Sequence, residues 1–306
     1  MGPPSRTGDA MRSTIIGPVL VCALTLVACS PAAPPAGPPA ETTPAAEATG
    51  PAGFPAETGT STGDFHPKNA PVVVYLVGTD EKLAPARRTV EAPAVAKGAM
   101  EALLAGPNAA ERAAGLGTLV PAGTRLLGVK VGSDGVAVID LSEEFDDGGG
   151  TLSMTLRAAQ LVYTFTQFPN VQGVRFRMEG KPLDVLGGEG IILEGAQTRA
   201  MWAESAPAVL IERPAFGDRV SSPLTVTGSA NVFEAVFRLE VVGPDGKVLA
   251  AKVVQASSGT GTRGTFSATL PFERWGSGTG KLVASFASPK DGTKVIAATV
   301  PLTLAE

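Results

Sequence analysis

Asp140, Glu143, Glu144, Asp146 and Asp147 crowd five carboxylates into one short stretch ahead of Gly148-Gly149-Gly150. Carboxylates on a flexible loop are the hard oxygen ligands that calcium takes. The spacing misses the twelve-residue calcium loop, because the glycines are misplaced and no Glu stands at the twelfth position. These residues are therefore weak metal candidates. A solvated turn that lends negative charge to the next helix N-terminus, worth a few tenths of a kcal/mol or more, is the expected reading. Ser142 would need a base to act as a nucleophile, and His66 is the single histidine of the chain. It stands at the edge of the first domain, so no Ser-His pair is expected. Arg175 and Arg177 alternate along a predicted strand and offer a possible face for a partner, against the plainer reading of a wet sheet face. Gly187-Gly188-Glu189-Gly190 lacks the lysine and hydroxyl of a phosphate-binding loop, and no dinucleotide fingerprint opens a helix. Loop geometry accounts for these glycines. No catalytic constellation and no cofactor is predicted.

The composition agrees. One histidine cannot supply the imidazoles of most catalytic zinc sites. Two cysteines, Cys22 and Cys29, allow one disulfide at most. The net charge of −4 gives no basic excess to follow a phosphate backbone, which argues against nucleic acid. With 306 residues and 44% hydrophobic residues, the chain has the length and apolar content for about two domains.

Around these candidates the chain divides clearly. Met11-Arg12 precede an apolar run ending in Leu26-Val27-Ala28-Cys29. The run, about 13 residues, falls short of the 20 or so that span a bilayer and fits a signal peptide. Met11 competes with Met1 as the start. Leu26-Val27-Ala28-Cys29 resembles a bacterial lipobox, which implies cleavage before Cys29 and a diacylglycerol on its sulfur. Cys22 fits badly, with bulky Val21 before it. Residues 1–28 are thus expected to be a lipoprotein signal peptide and residues 29–64 a lipid-anchored Pro/Ala-rich tether. Phe54 is the tether's only large apolar residue, so it cannot form a core.

Residues 65–200 read as an α/β domain. The β-branched run Val72-Val73-Val74-Tyr75-Leu76-Val77 predicts a central strand, with an edge strand over 83–90 and a helix from Pro93 to Ala105. Strands over 125–131 and 135–141 flank a tight turn at Gly132-Ser133-Asp134. A long helix over 151–168 carries Leu152, Leu156, Ala159, Tyr163 and Thr166 as its inner stripe. Arg157, Gln160, Thr164 and Gln167 are expected mainly on the other side. Val174, Phe176 and Met178 then alternate with Arg175, Arg177 and Glu179 on a half-buried strand. This order describes a small mixed β-sheet covered by two helices.

Ala99-Met100-Glu101-Ala102-Leu103-Leu104-Ala105-Gly106-Pro107, Leu119-Val120-Pro121-Ala122-Gly123-Thr124 and Val138-Ile139-Asp140-Leu141-Ser142 recur in order with Gln160-Leu161-Val162-Tyr163-Thr164 and Val171-Gln172-Gly173-Val174. Together they closely resemble the GerMN domain of bacterial sporulation and germination lipoproteins. The resemblance implies an α/β fold related to ring-building modules of envelope complexes, and it carries no catalytic residues.

Residues 201–207 read as a linker and residues 208–306 as an all-β immunoglobulin-like sandwich. Strands are expected over 208–212, 224–229, 235–242, 248–255, 265–270, 281–288 and 295–304, with turns at Pro244-Asp245-Gly246 and Pro289-Lys290-Asp291-Gly292. Trp202 in the connector and Trp275 in a loop mark no core position. Pro223-Leu224-Thr225-Val226-Thr227-Gly228, Phe233-Glu234 and Gly264-Thr265-Phe266 resemble the Gmad2 domain, which commonly accompanies GerMN.

The expected protein is a non-catalytic, extracytoplasmic binding or scaffold lipoprotein of the cell membrane. Its expected partners are the membrane, through the lipid anchor, and envelope proteins or cell-wall material. Two other readings stay open: an enzyme or enzyme accessory acting on peptidoglycan, and a small-molecule or ion-binding lipoprotein. The sequence leaves the oligomeric state open.

Overall fold

The computed structural model of the chain describes Gly2 and residues 68–188, 190–273 and 278–304. Cys22, Cys29, the tether, His66, Trp275 and the expected signal segment apart from Gly2 lie outside the described residues. Strands β1 (Asn69–Val77) and β2 (Leu83–Glu91) form an antiparallel ribbon. Helix α1 (Val95–Leu104) follows and buries Ala99, Met100 and Leu103. Gly98 lets it lie close to β2, since a Cβ there would come within 2.8 Å of the Val90 side chain. The short helix α2 (Ala109–Ala113) starts at a reciprocal cap between Asn108 and Glu111. The buried Glu111 carboxylate also holds the Arg88 guanidinium at 2.6 and 2.7 Å.

β3 (Leu126–Val131), β4 (Val136–Leu141), β5 (Gly173–Met178) and β6 (Lys181–Pro182) form a four-stranded sheet in that order. Helix α3 (Thr151–Phe165) joins β4 to β5, and that crossover makes the pair parallel while the other pairs are antiparallel. A hairpin of β7 (Val185–Leu186) and β8 (Ile191–Ile192) follows.

Two expectations are corrected here. The run 72–77 is not a central strand of the sheet, because β1 pairs along its length only with β2. Its other edge is satisfied largely by side chains of helix α3 and of Gln167 in the turn just after it. The Val73 N–H donates to Gln167 Oε1 at 2.7 Å, and Gln167 Nε2 donates back to the Val73 carbonyl at 2.6 Å. The Tyr75 N–H donates to Thr164 Oγ1 at 3.2 Å, and Gln160 Nε2 donates to the Tyr75 carbonyl at 2.8 Å. Beyond these, Val77 exchanges backbone hydrogen bonds with Gly117. The second correction follows directly. Arg157, Gln160 and Thr164, expected mainly on the outer side of α3, are buried, whereas Leu152 of the expected inner stripe is 50% exposed. Periodicity locates an apolar stripe, but it does not show a polar stripe that is buried to serve another strand's backbone.

The second half contains β9 (Val209–Arg213), β10 (Arg219–Val220), β11 (Leu224–Ala230), β12 (Val236–Val242), β13 (Val248–Gln255), β14 (Gly264–Leu270), β15 (Gly278–Ala287) and β16 (Lys294–Leu304). They form a five-stranded sheet, β10-β16-β15-β12-β13, facing a three-stranded sheet, β14-β11-β9. Phe237, Leu239 and Val241 of β12 point into the core, where Phe237 meets Phe266 edge-on at 4.8 Å. No disulfide is needed to close the sandwich; apolar packing does it.

Described residues from Lys68 onward belong to one compact unit, and a continuous seam joins its halves. Leu210 and Ala215 of the sandwich half are buried in the core of the first half, together with Ala206 and Trp202. Trp202 is 7% exposed, so the expectation that it marks no core position is corrected. The Phe216 N–H donates to the Pro85 carbonyl at 3.0 Å, continuing the outer edge of β2. Arg87 grips Asp218 through two hydrogen bonds of 3.0 Å, which raise its pKa. Deeper in the seam, Arg199 donates to Glu212 at 2.5 Å, to Thr166 at 2.7 Å and to the Tyr75 hydroxyl at 3.2 Å. The Tyr75 hydroxyl in turn donates to Glu212.

Candidate functional site

The acidic stretch is a loop with structural duties rather than a cluster that converges. The Asp140 carboxylate accepts the Gly180 N–H at 3.0 Å, and the Asp146 carboxylate accepts the Gly187 N–H at 2.6 Å. Glu144 lies 3.7 Å from Arg125, and the Ser142 hydroxyl beside it holds its carboxyl below the ordinary range. Glu143 and Asp147 are exposed. Helix α3 begins at Gly150, which has no side chain to cap it, and its first turn contains no acidic residue. Among the described residues, no three His, Cys, Asp or Glu side chains group as a metal site.

What organises this loop is Arg157. Its guanidinium donates to the carbonyls of Leu119 at 3.0 Å, Phe145 at 2.5 Å, and Asp147 and Gly148 at 3.0 Å each. Desolvation in this setting lowers its pKa. Ser142 is fully buried and accepts the Arg125 N–H at 2.9 Å, a structural position with no path to a substrate. Gly187, at φ +69°, and Gly190, at φ +76°, make the turn between β7 and β8.

Arg175 and Arg177 are exposed on β5, while Val174 and Phe176 between them are buried. The register brings a third cation to the same face. Arg175 stands opposite Val138, and Val138 stands opposite Lys130 on β3. Lys130 is also exposed, and neither it nor Arg175 has an ion-pair partner among the described residues. Arg177 lies opposite Asp140 and donates to the Gly180 carbonyl. With neighbouring strands about 4.8 Å apart and residues i and i+2 about 6.7 Å apart, the three cations fall within about 12 Å of one another. Sequence reasoning missed Lys130. The tight turn at Gly132-Ser133-Asp134 fixes its pairing with Val138, but the parallel pairing of Val138 with Arg175 is made by the α3 crossover and has no local signal.

A separate cleft of about 690 Å³ opens beside the end of β1 and the start of α3. Val77, Thr79, Leu119, Leu152 and Leu156 line it, and its walls are mainly apolar. No helix among the described residues is long and apolar enough to cross a membrane.

Comparison with known proteins accounts for both halves. The family model Germane, described as sporulation and spore germination, matches residues 73–184. The model Gmad2, described as the immunoglobulin-like domain of bacterial spore germination, matches residues 208–293. Among solved structures, the first GerMN domain of the sporulation protein GerM from Bacillus subtilis is 22% identical; the match covers 43% of this chain and 98% of that one, with a TM-score of 0.35. The tandem GerMN domains of the same Bacillus subtilis protein are 16% identical over 66% of this chain and 61% of that one, with a TM-score of 0.38. No curated protein matches the chain. This chain is therefore a two-domain protein in which a Germane domain of the sporulation and spore germination family is followed by a Gmad2 immunoglobulin-like domain.

Proposed function

We propose that the chain is a non-catalytic, extracytoplasmic binding or scaffold protein of the bacterial cell envelope, anchored in the membrane by lipid on Cys29. The family matches to its two domains support a role in sporulation or spore germination, and a role in envelope assembly is the other form of the same reading. The observation that carries the binding role is the open cationic face of Lys130, Arg175 and Arg177. Three cations on a sheet face, with Asp140 beside Arg177, suit acidic groups on an envelope protein or on cell-wall material. Opposite charge across such an interface steers encounter and rejects wrong partners.

Crosslinking in intact cells followed by identification of the captured molecules tests this reading. Reversing the charge at both positions, Arg175→Glu with Arg177→Glu, should cut recovery of the captured partner about tenfold or more. Both side chains are exposed, and the one expected stability cost is up to about 1 kcal/mol from the carboxylate that Arg177→Glu sets opposite Asp140. An unchanged set of partners would remove the face from the binding role. Cleavage of peptidoglycan by the purified chain, lost on mutation of Asp140 or Glu144, would overturn the non-catalytic reading itself.

The anchor has its own test. Cys29→Ala should release the chain from the membrane fraction, because two or three acyl chains hold stably where none remains. Full retention of the Cys29→Ala variant would dispose of the lipid anchor.

A further inference from the structure

The Gmad2 sandwich exposes a face that its own fold leaves uncovered. Phe233 is 50% exposed, Val236 40%, Val253 62% and Ile296 54%. The strand register puts these residues together. Val253, Arg238, Ser285 and Ile296 form one row across β13, β12, β15 and β16, and beside it Gln255 pairs with Val236 and Ala287 with Lys294. Ile296 lies just outside a shallow groove of about 500 Å³ that runs over Val236, Arg238, Val253, Ser285 and Ala287. Phe233 stands at its end on a strained turn. Glu234 and Ala235 are both left-handed, at φ +55° and +59°, a conformation costing non-glycine residues about 1–2 kcal/mol each. The turn is locked from beneath by Gly259, where a Cβ would come within 2.5 Å of the Val232 carbonyl and 2.6 Å of the Ala235 nitrogen. Strain of this kind persists where the surroundings impose it and tends to mark function. Here it keeps an aromatic ring in solvent beside an apolar groove.

We propose that this face is an interface between two copies of the chain, related by a two-fold axis. The charges select that occupant. Arg238 and Lys294 both pair with Glu240, at 2.8 and 2.9 Å. Glu234 adds a second carboxylate at the groove, so two cations balance two anions. A face with no net charge gives a polyanion or a basic protein nothing to choose it by. A two-fold interface requires a surface that complements itself, with residue i meeting j and j meeting i. Aliphatic side chains whose neighbouring charges are already balanced within each copy meet that condition. An axis near Arg238 and Ser285 sets Val253 of one copy against Ile296 of the other. Two rows across four strands, about 14 Å by 7 Å in backbone spacing, present less than the roughly 800 Å² per partner of standard interfaces, so the dimer is a weak one.

Disulfide crosslinking of the full chain in the cells that produce it tests the arrangement. Val253→Cys combined with Ile296→Cys should give a reducible dimer on mild oxidation, well above the background from the native cysteines. Ser267→Cys, on β14 of the opposite sheet, should stay at that background. Adding Phe233→Asp to the double variant should reduce the dimer about tenfold or more, because a carboxylate would be buried at the contact. All the substituted side chains are exposed, so each variant folds. The proposal is overturned if the double variant stays monomeric, if Ser267→Cys dimerises equally, or if the new thiols couple to a different protein. The cationic face lies in the other domain, so neither result bears on it.

Discussion

Raising the pH through about 10, where an ordinary tyrosine ionises, should leave the native chain with little phenolate absorbance until it unfolds. The chain has two tyrosines, Tyr75 and Tyr163, and each is 1% exposed in the seam between the domains. Burial is the largest influence on both and raises both pKa values, that of Tyr75 by far the more. The Glu212 charge pushes Tyr75 further up, and Arg199 opposes it. A raised folded-state pKa means that the native state holds the proton more tightly than the unfolded chain does. The resulting stabilisation is complete below about pH 10 and drains away as the pH rises beyond it. Spectrophotometric titration with and without urea reads this directly. Two tyrosines should ionise near pH 10 in the unfolded chain, and they should ionise together with unfolding in the native one. Glu212→Gln, which removes the negative neighbour, should bring Tyr75 ionisation to lower pH. Arg199→Ala strips the cation from Glu212, Tyr75 and the face of Tyr163, over which it stacks at 4.8 Å. Arg199 and Glu212 keep 29% and 27% side-chain exposure, so the cost sits at the low end for a broken buried pair, about 3 kcal/mol. A lower urea midpoint with an unchanged slope would report it. Full phenolate amplitude in the folded chain near pH 10 would show that the seam is open to water.

A closed seam has consequences for binding. The cationic face belongs to the four-stranded sheet of the first domain and the apolar face to the five-stranded sheet of the second. Buried Leu210, Ala215 and Trp202, the Arg87–Asp218 pair and the Arg199 network fix one domain against the other. A partner held on the first face and a second copy held on the other would then keep a set geometry. That is what a scaffold requires, and freely jointed domains would not supply it.

How much of this was legible in the sequence depended on where each element's partners lie. Most sandwich strands were readable because burial alternates along them, as in Phe237, Leu239 and Val241 against Val236, Arg238 and Glu240, whereas β9 is buried on both faces, with Leu210 turned into the first domain. Expected ends fell within a few residues of the observed ones, and β13 spans 248–255 as expected. The alternation of Val174 and Phe176 with Arg175 and Arg177 was equally readable. Strand β1 was readable as buried but not as to its neighbours. A continuous β-branched run says that both faces are covered, and a helix's amides can cover an edge that a strand usually takes. The domain seam gave no local signal either, since Tyr75 lies more than a hundred residues from Arg199 and Glu212, and those two look like ordinary surface types. The cationic face was half legible, as Arg175 and Arg177 without Lys130.

The clearest test of that lesson is a pair of substitutions on α3 for which helical periodicity and the structure predict opposite results. By periodicity, Gln160→Leu adds an apolar residue at a wet position and should be tolerated, while Leu152→Gln removes one from the core and should be costly. The structure reverses both. Gln160 is fully buried, and its amide serves two backbone groups, accepting the Leu119 N–H at 2.9 Å and donating to the Tyr75 carbonyl at 2.8 Å. Leucine is close in volume, so almost no cavity opens, but the N–H and the carbonyl both lose their partner in a place without water. Each unsatisfied buried group costs about 1–3 kcal/mol, and Gln160→Leu should lower unfolding stability by about 3 kcal/mol. Leu152 is 50% exposed at the edge of the open cleft, so Leu152→Gln should change stability by less than about 0.5 kcal/mol. Urea unfolding of the two variants beside the parent chain decides the matter. Should Leu152→Gln prove the costlier of the two, the polar stripe of α3 does not serve β1 and the strand must find its edge partners elsewhere.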